Sequence, residues 1–460
     1  MPVPGQHASR KLQRLLNARW WELSPGDTLE VASGTQRGEA FEVRSGGKAI
    51  KADDSGLAAG DLLAVKSTDP LTMERAAPAK SGHDLLAYSA SASGWQPYQP
   101  AYLDACHPDY GADPGASGET NRAAIQAALD DGANLPVTLS VPGTYNLAKR
   151  DSDPWCLGLR QGSALVGLSQ HKTTLRLQDG TDDGCHVLNL TGDGVRVESL
   201  TVNGNKANQS GDNGGHGIRD SQGGARHKLV SLRVIDCRHY GIGLQDRATT
   251  NSECILYDLT LENNDSDGID VKSIEDSLAS LIVARNNGNK GIDIRAWGMT
   301  FSDFHAEGNA NAGIAMRGNT TDGATNFVLP NRNAAASLSS QGNGGAGIVV
   351  DVGHSDHEGE FGLSGATARG NGGNGIVLRG SIMWIAANAI TSKDNDSSGI
   401  LATCDRLALT GCVMFMNADW GFDNNGEDHH HCVTGNVAQG NSTGQIQAAG
   451  ASALHANNLT

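Results

Sequence analysis

A four-residue phrase, Gly-Ile-x-apolar, recurs through the second half of this 460-residue chain and limits what it can fold into. It stands at Gly241-Ile242, Gly268-Ile269, Gly291-Ile292, Gly313-Ile314, Gly347-Ile348, Gly375-Ile376 and Gly399-Ile400, with looser copies at Gly217-Ile218 and Gly421-Phe422. Successive glycines are 24, 27, 23, 22, 34, 28, 24 and 22 residues apart. A period in this range means stacked supersecondary units. The Ile-x-apolar alternation is a strand period, not a helical one. Asn- or Gly-rich turns precede the phrase, as in ENNDSDG and RGNGGNG. Together these features predict an all-β, right-handed parallel β-helix with one strand-turn-strand coil per repeat. Propeller blades have repeats about twice as long, roughly 40–45 residues.

A single coil cannot bury its apolar face, so stacking must align the Ile side chains into an internal ladder. The glycine before each Ile is expected to supply positive φ at the corner. Asn amides are expected to hydrogen-bond from coil to coil. The 60 glycines and 5 % aromatic content agree with such a solenoid. Eight scattered cysteines without CxxC spacing read as reduced structural thiols. No 18-residue apolar run and no apolar signal core are seen, which predicts neither a membrane span nor a classical secretion signal. A formal charge of −16 argues against nucleic acid as a partner. An acidic polymer would need a local excess of Lys and Arg.

Four segments are expected. Residues 1–80 form a small β-rich module, 81–104 a linker, 105–445 the β-helix and 446–460 a C-terminal tail. In the stretch DYGADPGASGETNRAAIQAAL, Thr120 is the expected cap of a short amphipathic helix carrying Ile125, Ala128 and Leu129 on one face. A strand over Val137–Val141 then leads to Pro142-Gly143-Thr144-Tyr145. The helix would cover the open end of the solenoid, which is otherwise an exposed sheet edge.

This segment resembles the start of the pectate-lyase-like β-helix superfamily, which includes phage tail spikes, polygalacturonases and mannuronan C5-epimerases. The resemblance implies carbohydrate as the ligand class and leaves the chemistry open. LTVNGNKANQSGDNGG followed by HYGIGLQD is similar to the catalytic region of mannuronan C5-epimerases. Tyr240 and Gly241 match the family's motif, whereas its Asp, His and Glu fall on Gly243, Gln245 and Asp246. NDSDGID (264–270) resembles an element of polygalacturonases, but that family's later paired Asp is missing and the GGHG run (214–217) precedes it instead of following.

Outward positions follow from the strand period. With Ile pointing in, the residues two and four after each glycine point out. Down the stack they read Arg219, Gly243/Gln245, Asp270/Lys272, Asp293/Arg295 and Ala315/Arg317. Asp270, Asp293, Lys272, Arg295 and Tyr240 are therefore the candidate catalytic residues. Arg317, Asp246, Gln245 and Arg219 are the candidate substrate contacts. Coils about 4.8 Å apart would let one of the two aspartates raise the other's pKa. The pair suits glycoside hydrolysis. The flanking cations suit a uronate whose C5 proton is removed. A solvated charge ladder is the structural alternative. Asp428–Cys432, with three adjacent histidines, and the insertion carrying His354, Asp356, His357, Glu358 and Glu360 are weaker candidates for metal or substrate. Trp297, Trp384 and Trp420 suit either sugar stacking or core filling. No cofactor is expected, calcium being the one ion considered.

The resemblance implies a tail-spike-like protein that binds, and as an enzyme would cleave, a bacterial surface polysaccharide. It would be a homotrimer in a virion tail, touching other tail proteins through residues 1–80. A free lyase or uronan epimerase, exported by a non-classical route, and a binding-only adhesin are the alternatives.

Overall fold

The computed structural model describes six short strands between residues 42 and 97, then residues 102–460 except 133–134, 151–152, 182–183, 210–213, 221, 245–250, 318–332, 352–358, 426–429 and 448–453. The chain divides into two compact units, Met1–Asp109 and Tyr110–Thr460. In the first, Glu42–Ser45, Lys48–Ala52, Leu71–Arg75 and Leu63–Thr68 lie side by side in that order in a four-stranded sheet. Leu86–Ser89 and Gly94–Pro97 pair as an antiparallel hairpin within the stretch expected to be a linker.

The second unit is a right-handed parallel β-helix. The most regular coils contribute two strands each, as in Ile269–Glu275 with Leu278–Arg285 and Ile292–Trp297 with Thr300–Glu307, which is the expected strand-turn-strand pattern; others contribute three. The Gly-Ile segments pair in register, Ile218 with Ile242, Ile242 with Ile269, Ile269 with Ile292 and Ile292 with Ile314. Every one of these isoleucines is fully buried, and so are the alternate positions Leu244, Val271 and Ile294. The predicted internal ladder is the core of the molecule. Stacking passes the expected limit at 445, because Leu454–Ala456 pairs with Cys432–Thr434. The eight cysteines are free thiols. Among the described residues no helix is long and apolar enough to cross a membrane.

The helix Gly118–Asp131 is capped by Ser117, whose side chain accepts the Thr120 N–H at 3.1 Å, so the cap lies three residues before the expected Thr120. Ile125, Ala128 and Leu129 are buried as expected. The following strand is shorter than expected, Pro136–Thr138, with a second at Gly143–Leu147.

The glycine of the repeated phrase has a different purpose from the expected one. None of Gly241, Gly268 and Gly291 takes a positive φ. A Cβ on Gly268 would lie 2.6 Å from the Gly291 carbonyl oxygen and 2.9 Å from Asn287 Nδ2. The phrase needs glycine because neighbouring coils touch there. Positive φ is taken instead just before a line of buried asparagines, at Asn263, Asn286, Gly308, Gly342, Gly370, Asp394, Met416 and Gly440. The asparagines that follow, Asn264, Asn287, Asn309, Asn343, Asn371, Asn395, Asn417 and Asn441, form the predicted amide ladder. Each Nδ2 donates to the next Oδ1 at 2.8–3.0 Å, and Gln445 Oε1 ends the series.

Candidate active site

The outward column of the Gly-Ile face runs Asn189, Arg219, Gly243, Asp270, Asp293 and Ala315 in register. Beside it, at the residue before each corner glycine, run His216, Tyr240, Asp267 and Lys290. The coils clamp this second column from both sides. Gly217 N–H donates to the Tyr240 carbonyl at 3.2 Å, and Ser266 N–H to the His239 carbonyl at 3.2 Å.

Asp270 and Asp293 do come together, but beneath a cover of cations and not at the surface. They are 0 % and 1 % exposed. Asp270 pairs with Lys272 at 2.8 Å and accepts from Arg295 at 3.1 Å. Asp293 accepts from Lys290 at 3.0 Å and from Arg317 Nε at 2.8 Å, with a second Arg317 nitrogen on the other oxygen. Burial alone would raise the Asp293 pKa, yet the Arg317 hydrogen bond and the charges of Arg317, Lys290 and Arg295 hold it below its ordinary value. A carboxyl kept ionised in this way is unsuited to be the protonated acid of a glycoside hydrolase.

The raised carboxyl is Asp267, which the sequence reading passed over. Burial, with Asp293 and Asp270 nearby, lifts its pKa from 3.8 to about 6 against the pull of Lys290. Its folded pKa exceeds its unfolded one, so it favours the folded state at low pH and loses that contribution as pH rises from 3.8 through about 6. Its Oδ1 accepts the Lys290 backbone N–H at 2.8 Å, a bond that asparagine would keep. Asp267→Asn is therefore expected to stabilise the protein at pH 7 by about 2–3 kcal/mol. Denaturant titrations of both chains at pH 4 and pH 7 check this, and equal stabilisation at both pH values would contradict it.

Asp267, Asp270 and Asp293 place ligand atoms within 4.8 Å of one another and could hold a cation. Lys272, Lys290, Arg295 and Arg317 already face Asp270 and Asp293, and outnumber them without one.

Three histidines also join the site from successive coils. His216 lies 4.7 Å from His186 and 4.8 Å from His239, ring centre to ring centre, and Tyr240 lies 4.0 Å from His239. Burial, reinforced by Arg219 and the neighbouring rings, pushes His186 down to about 3 and depresses His216 further. His239 is also lowered, first by burial and then by Arg219 and Lys272, although Asp270 pulls the other way. All three are neutral imidazoles near pH 7. His216 and His239 stand just before corner glycines, and His186 lies in a coil without the Gly-Ile phrase.

Gln245, Asp246, Asp428, His429, His354, Asp356, His357 and Glu358 lie outside the described residues, as does the side chain of Trp297. The two described histidines of the run, His430 and His431, do not converge. His431 is buried against the Cys404 carbonyl at 2.7 Å while His430 is exposed. Glu360 is exposed. Trp384 is 58 % exposed with Arg406 over its ring at 5.0 Å, and Trp420 is half-buried.

No family model matches the chain. Its β-helix is similar to the A-module of the Azotobacter vinelandii mannuronan C-5 epimerase AlgE4, with a TM-score of 0.63 and 20 % identity, covering 76 % of this chain and 98 % of that one. The fold is the right-handed parallel β-helix of the epimerase A-modules. A GH87 alpha-1,3-glucanase catalytic domain shares it at a TM-score of 0.51 and 11 % identity, covering 84 % of this chain and 71 % of that one. In sequence, the chain is 28 % identical to the Azotobacter vinelandii mannuronan C5-epimerase AlgE3 over 226 residues, which is 46 % of this chain. It is 30 % identical to AlgE1 of the same organism over 207 residues, which is 43 %. The chain spans 12–25 % of the length of the curated relatives it matches.

Proposed function

We propose that the β-helix modifies an acidic polysaccharide by removing the C5 proton of a uronate residue. One observation carries this reading. In a protein of net charge −16, four cationic side chains, Lys272, Lys290, Arg295 and Arg317, gather around three carboxylates next to a neutral histidine and a tyrosine. Likeness in sequence and fold to mannuronan C5-epimerases supports the same chemistry.

The cations neutralise the uronate carboxylate, so that negative charge developing at C5 can spread into it. His239, held neutral by burial, takes the C5 proton. Tyr240, across the ring edge from it, serves the second proton. Return of a proton to the opposite face gives the C5 epimer. Breakage of the C4–O bond by the same electron pair gives an unsaturated end and a new chain end. Incubation with polymannuronate separates these outcomes, since elimination yields ultraviolet-absorbing ends and epimerisation yields inverted residues without them. New reducing ends without absorbance would indicate hydrolysis and overturn the reading.

The pH profile has a defined sign. A base with a lowered pKa is active above it and loses activity as pH falls through it. The acid limb of kcat/KM is therefore expected below pH 6.5, the ordinary value for histidine. A profile confined to acid pH would assign His239 the opposite role.

A homotrimeric spike, with residues 1–80 engaging other tail proteins in a virion, is the alternative assembly. It requires a solution mass three times 47.8 kDa, where a free enzyme requires 47.8 kDa.

A further inference from the structure

Two and three coils before Asp270, the outward column carries Arg219 and Asn189, polar groups that the fold leaves unused. Asn189 is 1 % exposed, and neither its Nδ2 nor its Oδ1 has a hydrogen-bond partner. A buried amide with both ends unmet is costly, and such groups call for an explanation. Asn189 lines a cavity of about 380 Å³ together with Arg219, His186, Trp155 and Gly214. Arg219 makes no carboxylate contact among the described residues. Among the described residues its guanidinium faces only His186 Nε2 and His216 Nε2, each at 3.3 Å. His186 Nδ1 already accepts the His216 backbone N–H at 3.0 Å, so in the neutral ring its Nε2 carries the proton and cannot accept from Arg219. At most one neutral acceptor serves this cation.

We propose that Asn189, Arg219 and Trp155 form a binding subsite for an acidic sugar residue of the polysaccharide. Arg219 takes the carboxylate, the Asn189 amide takes hydroxyls, and the Trp155 indole packs on the ring. The two ends of the amide decide the ligand class. An inorganic anion would satisfy Nδ2 but leave Oδ1 unmet, whereas a sugar hydroxyl supplies the missing donor. Register places Arg219 two coils from Asp270, about 10 Å along the stack. The subsite therefore holds a residue of the same polymer other than the reacting one. It rests on the proposed function for the identity of the polymer, not for its own chemistry.

The test is calorimetric binding of a mannuronate hexasaccharide and of its carboxyl-reduced, neutral counterpart to the full chain. The acidic form is expected to bind at least tenfold more tightly. Arg219→Gln should cut that preference about tenfold, and Arg219→Lys should restore part of it. Asn189→Leu should weaken both ligands about tenfold while keeping the preference for the acidic one, which also shows that the variant is folded. An Arg219→Gln chain that keeps the full preference would overturn the subsite, as would an unmodified chain that binds neither hexasaccharide. Arg219-dependent binding with no proton exchange at C5 would support the subsite and sink the proposed reaction.

Discussion

Replacing Asn371 by Ala is expected to destabilise the protein by about 3–4 kcal/mol. The residue is fully buried in the middle of the asparagine ladder. Its Oδ1 accepts both the Asn343 backbone N–H at 3.1 Å and Asn343 Nδ2 at 3.0 Å. Its Nδ2 donates to the Ser340 carbonyl at 3.3 Å and to Asn395 Oδ1 at 3.0 Å. Alanine removes all four bonds. Asn343 Nδ2 keeps Ala306 O and Ser340 Oγ as acceptors, but the buried Asn343 N–H is left with none. That orphaned group and the lost bonds set the magnitude. Because each coil touches only its neighbours, the damage should appear in hydrogen exchange as local loss of protection around residues 340–400. Asn311→Ala removes only an exposed amide contact to Asn289 and should stay within about 0.5 kcal/mol. Equal denaturation midpoints for the two variants would mean that the ladder does not hold the coils together.

The second large effect is on turnover. Tyr240→Phe is expected to lower kcat on polymannuronate by about 10²–10⁴-fold, because it removes one proton-transfer group and keeps the ring against His239 and His216. His239→Gln should have an effect of similar size. The double variant should be little worse than either single one, since groups that act as a unit are not additive. Asp270→Asn should also reduce turnover, by releasing Lys272 and Arg295 from the carboxylate that fixes them. Full turnover by Tyr240→Phe would move the chemistry away from this face.

The repeat made the fold legible, because an Ile ladder with a strand period has few ways to bury itself. The same periodicity correctly grouped Asp270, Lys272, Asp293, Arg295 and Arg317. It misjudged their exposure, since alternation says which side of a strand a residue leaves but not what folds over it. Lys272 and Arg295 lie over Asp270, and this turned an expected surface pair into a buried one. The role of the phrase glycines was hidden for a related reason. Glycine permits both positive φ and close approach, and only the spacing between coils tells them apart. His186, His216, His239 and Asp267 belong to the columns beside the corner glycine. Reading the residues before each glycine as well as those after it would have brought three of them together. His186 belongs to a coil without the Gly-Ile phrase, where Cys185-His186-Val187 gives no register mark.

The most direct test of the central claim is proton exchange at C5. Polymannuronate incubated with the full chain in deuterium oxide should gain deuterium at C5 of residues in the polymer, at a rate that collapses in Tyr240→Phe and His239→Gln. Elimination without return of the proton would give unsaturated ends instead, with the same dependence on both residues. Polymer recovered with neither deuterium at C5 nor unsaturation, under conditions where it binds the chain, would contradict the account and leave a β-helix that holds an acidic polysaccharide without acting on it.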